Sequence, residues 1–232
     1  MDIIKKLAQE LAIKEEQAKA AVQLIDEGNT IPFIARYRKE MTGALNDETL
    51  RNLHERLLYL RNLEEKKEQV INAITDQGKM TEDLKKKILS AETLVAVDDL
   101  YRPYRPKKQT RATKAKEKGL EPLANILLLQ KTTKSMEEEA AAFVNAEKGV
   151  ANAKEAIAGA KDIIAEMIAD MADYRKSIRN CTMKQGSLVV KAKDEKAESV
   201  YEMYYDFREP LSKVTGYRVL AINRGEKEKF LT

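Results

Sequence analysis

The stretch from Asn46 to Gly78, NDETLRNLHERLLYLRNLEEKKEQVINAITDQG, decides the fold. Leu50, Leu53, Leu57, Leu60, Leu63, Val70 and Ile74 recur at steps of three and four, which places them on one stripe of an α-helix. Asn46 or Asp47 can cap its start, and Gly78 supplies a left-handed stop just past Gln77. Leu58 and Tyr59 widen the stripe, and Lys67 is its one polar interruption. The stripe drifts as that of a straight helix does, and a strict heptad would put Glu64 and Lys67 on successive seam positions, which argues against a coiled-coil dimer. The helix is expected to be a spine against which its neighbours pack.

Upstream, Ile3, Ile4, Leu7, Ala8 and Leu11, then Ala18, Val22, Leu24 and Ile25, predict two short amphipathic helices, the second stopped at Gly28. A third starts after Thr30 with Pro32 in its first turn and carries Ile31, Phe33, Ile34 and Tyr37 on one side. Arg36, Arg38 and Lys39 stand on its exposed side and tail, so the triplet has the outline of a helix-turn-helix whose last helix approaches DNA. The bland reading of the same cations is pairing with Glu40 or with a carboxylate on another helix.

Downstream, Thr81 and Thr93 cap two short helices, and the second leads into Asp98 to Gly119, DDLYRPYRPKKQTRATKAKEKG. Between Tyr101 and Lys118 there are eight cations and one anion, a net of +7, while the whole chain carries +4, so the remainder sums to −3. Pro103 and Pro106 bias Arg102 and Arg105 toward extended backbone and predict a stiff, non-helical arm. Such an arm offers Arg102, Arg105, Lys107, Lys108, Arg111 and Lys114 to phosphates, with Tyr101 and Tyr104 available for stacking. The alternative is a solvated loop whose arginines pair with Asp98, Asp99 and acidic helices.

Pro122 opens another apolar helix, Lys131 to Lys134 is the best internal boundary, and Ser135 with Glu138 makes a capping box. A second long helical pattern runs from Val150 through Ile157, Ile164 and Met171 and continues as Tyr174, Ile178 and Cys181 toward Gly186. Its small residues, Ala156, Gly159 and Ala160 among them, permit close approach of a neighbour. Leu188 to Ala192 is the only plausible strand, and it needs a partner. The aromatic run Tyr201 to Phe207 is expected to fill a core or an interface, and a last helix includes Val219, Leu220 and Ile222. The chain ends at Leu231-Thr232 without a polar tail, which suggests a segment of something longer.

The predicted class is all-α: a multi-helix array on long spine helices, with a helix-turn-helix-like N-terminal part and at most one short β element. Two lobes are expected, residues 1–130 and 131–232. A charged share of 34% and only 9 glycines and 5 prolines suit a helix-rich globular protein. One cysteine, Cys181, and one histidine, His54, exclude a disulfide framework and a His/Cys zinc site within the chain; Cys181 is expected buried or half-buried, His54 exposed or capping. No apolar run approaches a membrane span, so a cytoplasmic protein is the expectation. No phosphate loop, nucleophile elbow or zinc-protease motif is present, and neither catalysis nor a cofactor is expected.

Several runs together resemble the Tex family of bacterial transcription accessory proteins: Asn29 to Gly43 (NTIPFIARYRKEMTG), Asp99 to Ala112 (DLYRPYRPKKQTRA), Glu117 to Leu123 (EKGLEPL), and Tyr204 to Pro210 (YYDFREP) with Ala221 to Lys227 (AINRGEK). The resemblance implies the N-terminal helical region of a longer, nucleic-acid-binding protein related to a eukaryotic elongation factor. In the family a ribonuclease-H-like domain, helix-hairpin-helix elements and a C-terminal OB-fold RNA-binding domain follow, and none lies within these residues. It carries Arg36, Arg38, Lys39, Arg102, Lys107, Lys108 and Arg111 over as candidate contacts to RNA or DNA. Where the family shows a Pro and a His before the Arg of its late motif, this chain has Val214-Thr215-Gly216-Tyr217-Arg218, which puts the local turn in question. A second reading makes the region an adaptor that docks the C-terminal domains or RNA polymerase without touching nucleic acid.

Overall fold

The structure, a computed structural model, describes residues 2–232. Its packing divides into two compact units, which meet in sequence between Pro106 and Lys107.

The first unit holds α1 (Ile3–Leu11), α2 (Glu15–Asp26), α3 (Ile31–Tyr37), α4 (Lys39–Thr42), α5 (Asp47–Asp76), α6 (Glu82–Ser90) and α7 (Leu94–Tyr101). The spine is α5, 30 residues long. The Asn46 side chain accepts from the Thr49 N–H at 2.7 Å, and past the other end Gly78 sits at φ 66° while the Lys79 N–H reaches the Ile74 carbonyl at 3.2 Å. One stripe serves two cores in succession. Leu50, Leu53, Leu57 and Leu60 pack with Leu7, Leu24 and Ile34; Leu63, Val70 and Ile74 pack with Ile88 and Val97.

Lys67 belongs to that stripe and is buried with it. Its Nζ donates to Glu64 Oε1 at 2.8 Å and to the Leu89 carbonyl, in the last turn of α6, at 2.9 Å. A lysine in the core is tolerable because its charge is both paired and hydrogen-bonded. One expectation is corrected: Leu58 is exposed and does not widen the stripe. Tyr37 is exposed and packs beside Phe33. Tyr59 does turn inward, where its hydroxyl accepts from the Leu94 N–H. His54 is half-buried on α5.

The second unit holds α8 (Arg111–Glu117), α9 (Glu121–Leu129), α10 (Met136–Ala141), α11 (Ala153–Asp170), α12 (Ala172–Gln185), β1 (Ser187–Lys191), β2 (Asp206–Pro210) and α13 (Gly216–Lys227). Its core gathers Leu120, Leu123, Ala140, Val150, Ile157 and Ile163 around α11. The small-residue stripe of α11 does what its composition suggests: a Cβ on Gly159 would lie 2.4 Å from Leu120 Cδ1. Ser135 and Glu138 form the capping box of α10. The polar stretch 131–134 therefore lies inside this unit, between α9 and α10.

The second long pattern is not one helix. Met171, at φ −69° and ψ 118°, breaks it into α11 and α12, and Arg175 Nη1 donates to the Ala169 carbonyl at 3.3 Å, one of the acceptors the break leaves open. The β element has two strands. Val190 of β1 stands opposite Phe207 of β2 in an antiparallel register, and Lys191 exchanges both backbone hydrogen bonds with Thr232 at 2.9 Å. Under this sheet Val190, Tyr201, Tyr204, Ile222 and Leu231 form a separate small core. Gly225 on α13 is the close-approach point there, since a Cβ would lie 2.6 Å from Leu231 Cδ1. Arg218 pairs with Glu209 of β2, so the departure at residues 214–217 still delivers that guanidinium to a carboxylate. The architecture is mostly helical, as its class predicts, and no helix among the described residues is long and apolar enough to cross a membrane.

Candidate nucleic-acid interface

Thr93 caps α7 by accepting from the Ala96 N–H, and Val97 anchors the helix in the core. The backbone then departs from expectation. Arg102 keeps helical angles, φ −52° and ψ −43°, although Pro103 follows, and Arg102–Tyr104 closes a 3-10 turn held by Gln77, whose Nε2 donates to the Tyr104 carbonyl at 2.9 Å. Steric pressure from a following proline disfavours helical angles without forbidding them, and here the hydrogen bonds of the turn prevail. Arg105, before Pro106, is extended at φ −66° and ψ 132°. A second helix begins at once: Thr110 Oγ1 accepts from the Thr113 N–H at 3.0 Å and caps α8. The stiff arm shrinks to residues 105–110, Lys114 and Lys116 ride on α8 instead, and Lys118 stands just past its end.

The cations divide by their partners. Arg105 Nη2 meets Asp98 Oδ1 at 2.9 Å, and its guanidinium lies 5.5 Å from the Tyr101 ring centre. Lys107 is clasped by Asp170 and by Glu166, the latter at 3.4 Å. Arg111 touches Asp162 at 3.4 Å while its side chain stays 87% exposed. Asp162, Glu166 and Asp170 follow one another at four-residue steps on α11, a ladder of carboxylates that sequence reading passed over. Lys108 and Lys114 are exposed and have no carboxylate within ion-pair distance among the described residues. Arg102 is exposed on the 3-10 turn.

Two further cations gather at the end of α8. Lys118 Nζ donates to the Gly149 carbonyl at 2.7 Å, and Lys148 Nζ stands 3.7 Å from where a Cβ on Gly119 would be. Lys148 was missed from sequence because it lies thirty positions from Lys118 and only folding brings the two loops together. In the first unit, Arg36 and Lys39 share a groove of about 480 Å³ with Pro32, Leu45 and Asn46 at the start of α5. Arg38 does not join them, because it lies over the Phe33 ring at 5.1 Å and donates to the Tyr37 carbonyl. Among the described residues no three His, Cys, Asp or Glu side chains come together as a metal site. Cys181, expected to be buried or half-buried, is exposed on α12.

Two family models match the chain: a Tex-like protein N-terminal domain over residues 1–75 and a Tex central region over residues 131–232. The curated relatives include the transcriptional accessory protein Tex of Neisseria gonorrhoeae, 42% identical over all of this chain and 30% of its own length. Protein YhgF of Escherichia coli is 46% identical over 97% of this chain and 29% of its own length. A human S1 RNA-binding domain-containing protein 1 is 32% identical over the whole chain and 24% of its own length. The chain spans about 30% of the bacterial relatives it matches.

Proposed function

The chain belongs to the Tex family, and from that premise we propose that it is a non-catalytic, nucleic-acid-binding scaffold of a cytoplasmic transcription accessory protein. Exposed cations of the segment 102–118 meet the phosphates, and the helical cores serve as their mounting. The observation that carries this reading is the pair Lys108 and Lys114, exposed and without an acidic partner among the described residues, beside an Arg111 that is 87% exposed. An uncompensated local charge on a firm support is what phosphate binding requires. The name of the human relative supports RNA as a ligand, and that of the gonococcal relative a role in transcription.

The test is binding to single- and double-stranded RNA and DNA across a salt series. Each phosphate contact contributes about −0.9 to the slope of log affinity against log salt on B-DNA, so Lys108→Gln with Lys114→Gln should flatten that slope by about 1.8. An unchanged slope would remove these residues from the interface.

A second reading has its own observation. Arg105, Lys107 and Arg111 all reach carboxylates, of Asp98, of Glu166 and Asp170, and of Asp162. In that reading the segment braces helices and the region is an adaptor that docks further domains of a Tex-type protein or RNA polymerase. Nucleic-acid affinity would then stay at background, and the same double substitution would weaken polymerase binding instead.

A further inference from the structure

Arg36 and Lys39 line one groove of about 480 Å³ whose walls include Pro32, Ala35 and Leu45. That volume is in the range of small-molecule sites. Neither cation has a carboxylate within ion-pair distance among the described residues, although Glu40 is next to Lys39 in sequence. The groove's own acid, Asp47, is spent on Arg51, whose Nε lies 2.6 Å from Oδ2, and Asn46 is spent on the Thr49 N–H. Two positive charges are thus left unanswered beside a partly apolar, concave surface. The turn that joins Lys39 to Leu45 is firmly held. Gln17 Nε2 donates to the Thr42 and Gly43 carbonyls at 3.2 and 3.0 Å, and the Ala44 N–H donates to the Lys39 carbonyl at 2.8 Å. A site held in shape before its ligand arrives loses less on binding.

We infer that this groove takes a phosphate monoester, the 5′-phosphate of a nucleotide. Charge selects the ligand. A phosphate monoester carries about −1.5 to −2 near pH 7 and answers both open cations, whereas a carboxylate or an internal phosphodiester carries a single negative charge and leaves one cation over. The Arg36 guanidinium is a planar fork suited to two phosphate oxygens, and the Lys39 ammonium is a point charge for the third. The nucleoside then covers Pro32, Ala35 and Leu45, which inorganic phosphate would leave in water. The 5′-phosphorylated end of an RNA or DNA strand and a free nucleoside monophosphate share this chemistry. The site lies outside residues 102–118, so it goes beyond the function proposed above and does not rest on it.

Short single-stranded oligonucleotides that differ only in a 5′-phosphate or a 5′-hydroxyl are the probe, measured on the intact chain at fixed salt. The 5′-phosphorylated strand should bind at least about tenfold more tightly, the effect of one hydrogen bond to a charged group. Arg36→Gln with Lys39→Gln should abolish that difference and leave the melting temperature unmoved, since both side chains are exposed. Lys108→Gln with Lys114→Gln should keep the ratio whether or not it weakens both strands, so a failure of this site and a failure of residues 102–118 as an interface are read separately. A nucleoside monophosphate should displace the 5′-phosphorylated strand at least about tenfold better than inorganic phosphate does, because only the nucleotide covers the apolar wall. A nucleoside monophosphate that binds as tightly as the strand identifies free nucleotide as the ligand, and one that binds more weakly identifies a strand end. Equal binding of the two strands, a difference that survives Arg36→Gln with Lys39→Gln, displacement by inorganic phosphate as good as by the nucleotide, or tighter binding of a phosphoserine peptide would each overturn the inference.

Discussion

At the residue scale the ionisable side chains of the first unit lend themselves to sharp tests. Lys67 is buried and depends on Glu64 and the Leu89 carbonyl. Glu64→Gln strands the ammonium in the core and is expected to cost about 2–3 kcal/mol, whereas Lys67→Met leaves a partly exposed carboxylate that water can solvate and should cost less. Urea denaturation of the two variants decides the order, and equal losses would contradict it. Hydrogen bonds from Arg56 hold the Glu10 carboxyl below its ordinary range, and those from Arg61 do the same for Asp26. Folded values below the unfolded ones mean that the stability they contribute is complete above the usual carboxylate range, about pH 4, and is lost as pH falls through the lowered values. The melting temperature should therefore fall in acid, and Glu10→Gln with Asp26→Asn should blunt that fall. At neutral pH the same pair of changes should cost only about 1 kcal/mol, because water screens both pairs.

At the element scale, local chemistry was legible and long-range chemistry was not. Asn46, Thr81, Thr93 and Ser135 cap helices as their positions suggest, because a cap involves only residues within one turn. The break at Met171 was invisible, since an apolar period does not register one residue's ψ angle. Strand β2 was missed for a different reason: Asp-Phe-Arg-Glu-Pro has little strand character, and its pairing with β1 supplies the order. Half of the candidate site was readable as a run of charge, yet the pairing of Lys107 and Arg111 with Asp162, Glu166 and Asp170 depends on α11 packing beside α8. Gly225→Ala tests the packing of α13 on the segment that follows it. Alanine favours helix, but its Cβ would lie 2.6 Å from Leu231, so a net loss of about 1–3 kcal/mol is expected, read from thermal unfolding. A gain in stability would show that Leu231 gives way.

At the scale of the whole molecule, each unit has its own core, and the basic segment runs through the point in sequence where they meet. Leu57→Ala should cost about 2–5 kcal/mol and appear as faster amide exchange in α5, with α11 keeping its protection. The central claim is that the cations of residues 102–118 fall into a braced set and an open set. Two double variants compared in one experiment test it most directly, with salt-dependent nucleic-acid affinity and melting temperature read on each. Arg105→Gln with Lys107→Gln should lower the melting temperature and leave the salt slope nearly intact; Lys108→Gln with Lys114→Gln should flatten the slope by about 1.8 and leave the melting temperature unchanged. Identical behaviour of the two variants would contradict the division.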